Sequence, residues 1–151
     1  MDILEFLNKI KKYDKNALEK IIAIEANNLE PEITEIQKQQ LSEGKNANGE
    51  IIGTYTPFTE FIASQSNPIK PKKAGKPYNF QWSGNLFKGL FSKSKLLSNN
   101  DLLIETDSKA AITDELEGRY SNLLGIEQPK QQAITELLTF NTVENINNLI
   151  K

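Results

Sequence analysis

The chain has 151 residues, of which 38% are hydrophobic and 25% charged, and its formal net charge is -2. That length fits one domain spanning residues 1–151, and the small net charge excludes a global electrostatic attraction to nucleic acid or to a membrane surface. The chain has no Cys and no His, which excludes thiol nucleophiles, disulfides, Cys/His zinc sites and imidazole acid–base catalysis.

The N-terminal third carries apolar residues at spacings of three and four, which is typical of amphipathic helices. Residues 2–12 predict a first helix, and Asp14 is suited to cap a second one. Pro31 falls inside this second pattern and predicts a break near Leu29, with a new helix beginning at the proline; a single kinked helix is the alternative. Gly44 is expected to end the run as a C-cap.

The segment 44–57 is rich in turn-forming residues and contains the dipeptide Asn48-Gly49. It lacks the Gly-x-x-x-x-Gly-Lys-Ser/Thr pattern of a phosphate-binding loop and follows a helix rather than a strand. We therefore expect turn geometry alone, with Gly49 and Gly53 supplying positive φ angles. Thr56 or Thr59 is expected to begin a short helix after it.

A basic loop follows this short helix. Residues 66–79 hold three prolines and four lysines, which predicts a long, exposed and mobile loop. Its lysines could pair with phosphates, and the aromatic residues just after it could stack on bases. The alternative is a solubilising loop beside core aromatics. The candidate contacts to DNA or to a partner are Lys70, Lys72, Lys73 and Lys76.

Aromatic residues concentrate in the segment 80–91, where Ser83 is expected to cap a short helical turn. Tryptophan in such a segment is more often a core or interface anchor than a platform for a ligand. The candidate interface anchors are Tyr55, Trp82, Phe87 and Phe91.

The last third predicts a hairpin and then helices. Residues 91–97 and 101–106 form the two strands, Asp107 or Ser108 caps the next helix, and the final helix begins at Gln128. The expected fold class is therefore α+β, with N-terminal helices, a small antiparallel β-sheet or hairpin in the middle, and C-terminal helices.

Two clusters of carboxylates, within residues 25–35 and 114–117, favour solvated helix faces rather than an acid–base pair. Ser92 beside Lys93 or Lys95 is formally a Ser–Lys pair, but exposed strand residues are the favoured interpretation. We therefore expect no enzymatic activity, no catalytic residue, no cofactor and no metal site.

Three stretches share an order with a known family. They are the Gly-rich loop with Gly53-Thr54-Tyr55-Thr56, the basic loop that leads into Trp82-Ser83-Gly84-Asn85-Leu86-Phe87, and the segment 104–126. This order resembles phage virion-morphogenesis proteins of the tail-completion and head–tail connector type, as in phages of Bacteroides- and Flavobacterium-like hosts. Trp82-Ser83-Gly84 departs from the usual Leu-Thr-Gly of that family, and Tyr120-Ser121 departs from Tyr-Gly.

The resemblance, which spans residues 38–128, implies a structural virion protein, either a head–tail connector (neck) or a tail-completion (tail terminator) subunit. It implies a homo-oligomeric ring whose partners are portal, adaptor or tail-tube proteins, and passing DNA. No apolar run approaches the roughly 20 residues of a membrane span, so no membrane contact is expected. The expected location is the virion, and the host bacterial cytoplasm before assembly. A nucleic-acid-binding accessory protein that uses the lysines of residues 70–76 is the alternative.

Overall fold

The computed structural model describes residue 11, residues 15–98 and residues 101–150. The predicted helix 2–12, apart from Lys11, and the predicted Asp14 cap lie outside the described residues. The described elements are α1 (Lys15–Ser42), α2 (Pro57–Ser66), α3 (Asn85–Gly89), β1 (Leu90–Leu96), β2 (Leu102–Ser108), α4 (Thr113–Arg119) and α5 (Gln128–Ile150). The predicted α+β class is confirmed.

The first described helix is continuous through its proline, so the predicted break near Leu29 is wrong. Pro31 lies inside α1 and costs roughly 3 kcal/mol relative to alanine in a helix interior. The buried stripe of Ala26, Leu29 and Ile33 runs across the proline and packs along β1 and α5. Burying a Leu or Ile side chain stabilises a fold by roughly 1.5–3 kcal/mol. Tertiary packing therefore outweighs the local cost of the proline.

Gly44 ends α1 as predicted. The backbone N–H of Lys45 donates to Gln40 O at 3.1 Å, and the N–H of Gly44 donates to Leu41 O at 3.0 Å. This pair of bonds is the Schellman motif, which requires a left-handed residue, and Gly44 has φ +77°. A Cβ at Gly44 would lie 2.5 Å from the carbonyl oxygen of Tyr78. The helix end is therefore packed directly against the later chain segment.

The predicted hairpin is confirmed. β1 and β2 pair antiparallel from Leu90 opposite Ser108 to Leu96 opposite Leu102. Alternate residues of β2 are exposed, and Leu102, Ile104 and Thr106 lie on the less exposed face. Leu102 and Ile104 pack against the buried cluster formed by α1 and α5.

Two carboxylates of α1 hold neighbouring elements, so the expectation of a solvated acidic face at residues 25–35 is wrong for them. Glu30 Oε1 accepts hydrogen bonds from the backbone N–H of Ser94 at 2.7 Å and from its hydroxyl at 3.0 Å. Glu25 accepts from the side-chain amide of Asn145 at 2.7 Å. Glu30 thus satisfies a backbone donor of β1, and Glu25 joins α1 to α5.

Two predicted helix caps are wrong, although α5 begins where predicted. Helix α4 begins at Thr113, because β2 continues through Ser108 and the Ser108 hydroxyl accepts from a loop N–H. The carboxylate of Asp107 accepts from the next backbone N–H and caps nothing. The residue before α3 is Gly84, with φ +77°, rather than Ser83. Ser83 accepts only a long bond of 3.4 Å from Asn85 N.

Two buried clusters of apolar side chains form the interior. The first joins α1, α5 and the segment before α5: Ala26, Leu29, Ile33, Ile126, Ile134 and Leu138. The second joins the end of α1 to α3, β1 and residue 123: Leu41, Leu86, Leu90 and Leu123.

Two buried glutamines of α1 lie along the helix between the residues of these clusters, and the sequence patterns missed them. Gln40 donates from Nε2 to Asn46 O and to Gly125 O, both at 2.9 Å, and its Oε1 accepts from Glu127 N at 3.0 Å. Gln37 Oε1 accepts from Gly125 N at 2.8 Å. Helix α1, the Gly-rich loop and the segment before α5 are therefore joined by side-chain amides.

Candidate functional site

The basic loop is bounded by two backbone pairings. Tyr55 N donates to Lys76 O at 3.0 Å, and Tyr78 N donates to Gly53 O at 3.0 Å. At the other end, Ile69 N donates to Trp82 O at 3.0 Å. These bonds fix where the loop leaves and rejoins the fold; the mobility expected for residues 66–79 stays a prediction.

Four aromatic rings pack against one another beside the loop, in edge-to-face or tilted pairs. The centroid of Tyr78 lies 4.9 Å from that of Tyr55, 6.0 Å from that of Phe80 and 5.7 Å from that of Tyr120. Such pairs stabilise a fold by about 0.5–1.5 kcal/mol beyond their buried area. Gly53 does not have the positive φ expected for it, whereas Gly49 does, with φ +79°. Gly53 is instead a contact point, because a Cβ there would lie 2.6 Å from the Tyr78 ring.

Lys72 is buried among these rings, so the expectation that the whole loop is exposed is wrong for this residue. Only 3% of its surface is accessible, and its ammonium group donates to Asn79 Oδ1. Its Nζ lies 5.4 Å from the Tyr55 ring centroid and 5.9 Å from that of Trp82. Burial lowers the pKa of Lys72 to about 8. No described carboxylate oxygen forms an ion pair with this group.

Asn79 explains why the loop turns Lys72 inward. Its Oδ1 also accepts from the Tyr55 hydroxyl and from Gln81 N, both at 3.2 Å, and its Nδ2 donates to Pro71 O at 3.1 Å. The side-chain amide of Asn79 thus holds both Pro71, the residue before Lys72, and Gln81, which follows the loop. The other three lysines of the loop, at positions 70, 73 and 76, are exposed as predicted.

The rings and Lys72 line a cleft of about 380 Å³. The lining residues include Tyr55, Lys72, Tyr78, Phe80, Trp82, Asn85, Arg119 and Tyr120. Trp82 is 40% exposed, and Arg119 is paired with Glu115 at the surface. The cleft therefore combines apolar walls with one buried cation.

The four predicted interface anchors differ in their surroundings. Tyr55 and Phe87 are half-buried, and Phe87 packs against the second buried cluster. Phe91 lies on β1 beneath two ammonium groups, those of Lys93 and Lys109, each 5.4 Å from its ring centroid. Trp82 alone of the four is exposed. Their contact with a partner stays a prediction.

Helix α2 presents an apolar face to solvent. Phe58 is 72% exposed and Phe61 61% exposed, and Ile62 lies beside them at helical spacing. The buried residue Ala63 lies on the opposite side of the helix. Of the two residues predicted to begin this helix, Thr56 is the N-cap, and its hydroxyl accepts from Thr59 N at 3.2 Å. Exposed clusters of large apolar side chains are typical of interaction surfaces.

Helix α5 presents a second apolar face. Phe140 is 65% exposed and Val143 49% exposed, and Leu137 completes the row at spacings of three residues. Ile134 and Leu138, on the other side of α5, are buried in the first cluster. The apolar residues of α5 thus lie on two sides of the helix, and this spacing was the available sequence signal for a second contact.

The surroundings of the two faces differ in charge. The basic loop packs on the side of α2 that carries Glu60 and Ala63, opposite Phe58 and Phe61, and Glu60 accepts there from Ala74 N at 3.0 Å. Residues 131–150 contain only two charged groups, Glu136 and Glu144. At 100° per residue, both fall on the same side of α5 as Phe140. We call these surfaces the α2 face and the α5 face.

No family model, no curated protein and no solved structure matches the chain. Within the described residues, no group of three or more acidic side chains is placed to hold a metal ion. None of the described helices is both long enough and apolar enough to cross a bilayer.

Proposed function

We propose that the chain is a structural subunit of a bacteriophage particle, forming a homo-oligomeric ring at the head–tail connector (neck) or at the tail end as a tail-completion (tail terminator) protein. The observation that supports this proposal is the presence of two different exposed apolar helix faces on one protomer. The order of motifs shared with phage virion-morphogenesis proteins gives the biological setting, which is the host bacterial cytoplasm before assembly and the virion after it.

A ring needs a head-to-tail interface, in which one surface of a subunit meets a different surface of the next. The α2 face offers Phe58 and Phe61, and the α5 face offers Phe140 and Val143 beside two glutamates. Apolar contact supplies the driving force, and repulsion between the glutamates of two α5 faces disfavours contact between those like faces. The candidate contacts along the ring thus reduce to one pair of faces.

The role is structural rather than catalytic in this proposal. The chain has neither thiol nor imidazole. Two partly buried carboxylates of α1, those of Glu25 and Glu30, accept hydrogen bonds from other elements of the fold. Portal, adaptor or tail-tube proteins are the proposed neighbours above and below the ring.

The first test is the oligomeric state of the pure protein, measured by light scattering and negative-stain imaging, alone and with the portal-side and tail-side proteins of the same phage. Rings, formed alone or with one neighbour, are expected. Phe61→Asp and Phe140→Asp should each prevent ring formation, whereas Ser121→Asp, at an exposed position outside α2 and α5, should not. A monomer that ignores both neighbours would contradict the proposal.

Mixing the two face variants separates a ring from a symmetric dimer. Phe61→Asp keeps an intact α5 face and Phe140→Asp keeps an intact α2 face, so an equimolar mixture should form heterodimers and stop there. A symmetric interface that uses one face twice would give homodimers of one variant and no heterodimer. That result would exclude the head-to-tail arrangement.

A second candidate function is nucleic-acid binding, because Lys70, Lys73 and Lys76 are exposed on one loop. Three phosphate contacts predict an affinity that falls steeply with salt, since each releases counterions. Replacing these three lysines by glutamine should remove binding to DNA measured by fluorescence anisotropy. Binding that is unchanged in this variant would exclude the loop as the contact.

A further inference from the structure

The aromatic cleft holds a buried positive charge that the described part of the protein does not neutralise. Lys72 is 3% exposed, and its hydrogen-bond acceptor, Asn79 Oδ1, is a neutral amide oxygen. That oxygen is shared with the Tyr55 hydroxyl and with Gln81 N. An ammonium group has three donors, so Lys72 keeps donor capacity beyond this one shared acceptor.

A buried charge is costly unless an opposite charge or a set of hydrogen bonds compensates it. The faces of Tyr55 and Trp82, 5.4 Å and 5.9 Å from Nζ, provide only partial compensation through their ring electrons. Burial lowers the pKa of Lys72 to about 8, which leaves most of the molecules protonated at neutral pH. An anion that entered the cleft would therefore gain a charge-assisted hydrogen bond in a site partly removed from water.

The cleft also defines the rest of such a ligand. Its volume of about 380 Å³ lies within the roughly 300–1,000 Å³ of small-molecule sites. Its walls include the rings of Phe80, Trp82 and Tyr120, which favour a planar apolar body. The second cation of the lining, Arg119, already pairs with Glu115. One available cation fits one negative charge, which favours a carboxylate over a phosphate dianion.

We propose that the aromatic cleft is a binding site for an organic carboxylate with a planar apolar body, whose carboxylate pairs with Lys72 while its body packs between Trp82 and the neighbouring rings. This site is separate from the α2 face and the α5 face, and its occupation does not depend on ring formation. A free aryl carboxylate and the terminal carboxylate of a polypeptide ending in an aromatic residue share this chemistry.

Trp82 is the single tryptophan of the chain and lines the cleft, so its fluorescence reports binding directly. The full chain is titrated with benzoate and with benzamide, which has a similar shape and no charge. We expect a saturable change in Trp82 fluorescence with benzoate, and binding of benzamide that is at least tenfold weaker. Equal affinity for the two probes, or no saturable change with benzoate, would overturn the proposal.

Variants of two lysines locate the charge that is responsible. Lys72→Met should reduce benzoate affinity at least tenfold, whereas Lys70→Met, an exposed lysine of the same loop, should leave it unchanged. Retained affinity in a Lys72→Met protein with an unaltered circular dichroism spectrum would overturn the assignment. Should that variant not fold, NMR of the lysine ammonium groups in the unaltered chain replaces it, because benzoate must then raise the pKa of Lys72 and of no other lysine.

A third titration identifies the source of the carboxylate. A short peptide that ends in phenylalanine is compared with the same peptide carrying a C-terminal amide. Tighter binding of the free-acid peptide than of benzoate supports the end of a polypeptide as the ligand. Binding of benzoate alone supports a free small carboxylate, and failure of both probes overturns the site while leaving the ring proposal untouched.

Discussion

The side-chain nitrogen of Gln40 lies 2.9 Å from the carbonyl oxygen of Gly125, which joins the end of α1 to the segment that leads into α5. Gln40 is fully buried, and the same amide also holds Asn46 O and Glu127 N. A buried amide that satisfies three backbone groups on two separate segments fixes their positions relative to the helix. The Gln40 side chain therefore connects both the loop of residues 44–57 and the segment before α5 to the end of α1.

Replacing Gln40 by Met should destabilise the protein by about 2–5 kcal/mol. The two side chains are similar in volume, but the change leaves Gly125 O and Glu127 N without the Gln40 amide, at roughly 1–3 kcal/mol for each group that water cannot reach, whereas Asn46 O keeps the Gly49 N–H. The free energy of unfolding in urea measures the effect. Gln39→Met is the matched control, because Gln39 is exposed and its side chain donates, among the described residues, to Glu43 on the surface of the same helix end; an equal loss in both variants would contradict this role.

Pro31→Ala should stabilise the protein by about 1–2 kcal/mol. Alanine restores the backbone donor missing from the interior of α1 and removes the clash of the proline ring with the preceding turn. Part of the gain is offset because proline also restricts the unfolded chain, by roughly 0.4–1 kcal/mol. Thermal unfolding followed by circular dichroism gives the comparison. Pro129→Ala, in the first turn of α5, should give no such gain, since that N–H has no helical partner.

Gly44→Ala should destabilise the protein by more than Gly75→Ala. Both glycines have a φ near +75°, which costs alanine roughly 1–2 kcal/mol. A Cβ at Gly75 meets nothing within 4 Å, whereas at Gly44 it would lie 2.5 Å from Tyr78 O. Each variant loses some free energy of unfolding, and the difference between the two losses measures the cost of the contact between residue 44 and Tyr78. Equal losses would show that the helix end and the segment 77–78 are not in tight contact.

The elements that could be predicted from the sequence are those with a local signal. Two strand-like runs, residues 91–97 and 101–106, on either side of a turn segment predicted the hairpin, and Gly44 predicted the end of α1. The continuity of α1 through Pro31 could not be predicted locally, because it depends on partners in β1 and α5 that lie far along the chain.

Parts of the candidate site had no local signal either. A lysine between prolines is usually exposed, and only the amide of Asn79, together with the rings around it, turns Lys72 inward. The burial of Gln37 and Gln40 could not be predicted from the spacing of apolar residues, because a polar residue within an apolar stripe is normally taken as a break in that stripe. The exposed apolar row of α5, by contrast, was present in the sequence as apolar residues on two sides of one helix.

The stability of the protein should rise as the pH increases from about 8 to about 10. Burial holds the pKa of Lys72 at about 8 in the folded state, below its usual value of 10.5, so the unfolded chain binds more protons in this range. Deprotonation therefore favours the folded state. Burial raises the pKa of both Tyr55 and Tyr120 above 10, so above that pH the tyrosines ionise more readily when unfolded and stability falls again.

Urea unfolding at pH values between about 7 and about 10 measures this dependence. Lys72→Met should abolish the rise between about pH 8 and about pH 10, because the buried ammonium group is gone. The same variant should be at least as stable as the unaltered chain near neutral pH, since replacing a buried charge by an apolar side chain of similar volume removes its desolvation cost. Lys70→Met should keep the full rise in the free energy of unfolding over the same pH range. A rise of equal size in the Lys72→Met protein would mean that another group titrates in this range and that the ammonium of Lys72 is not desolvated.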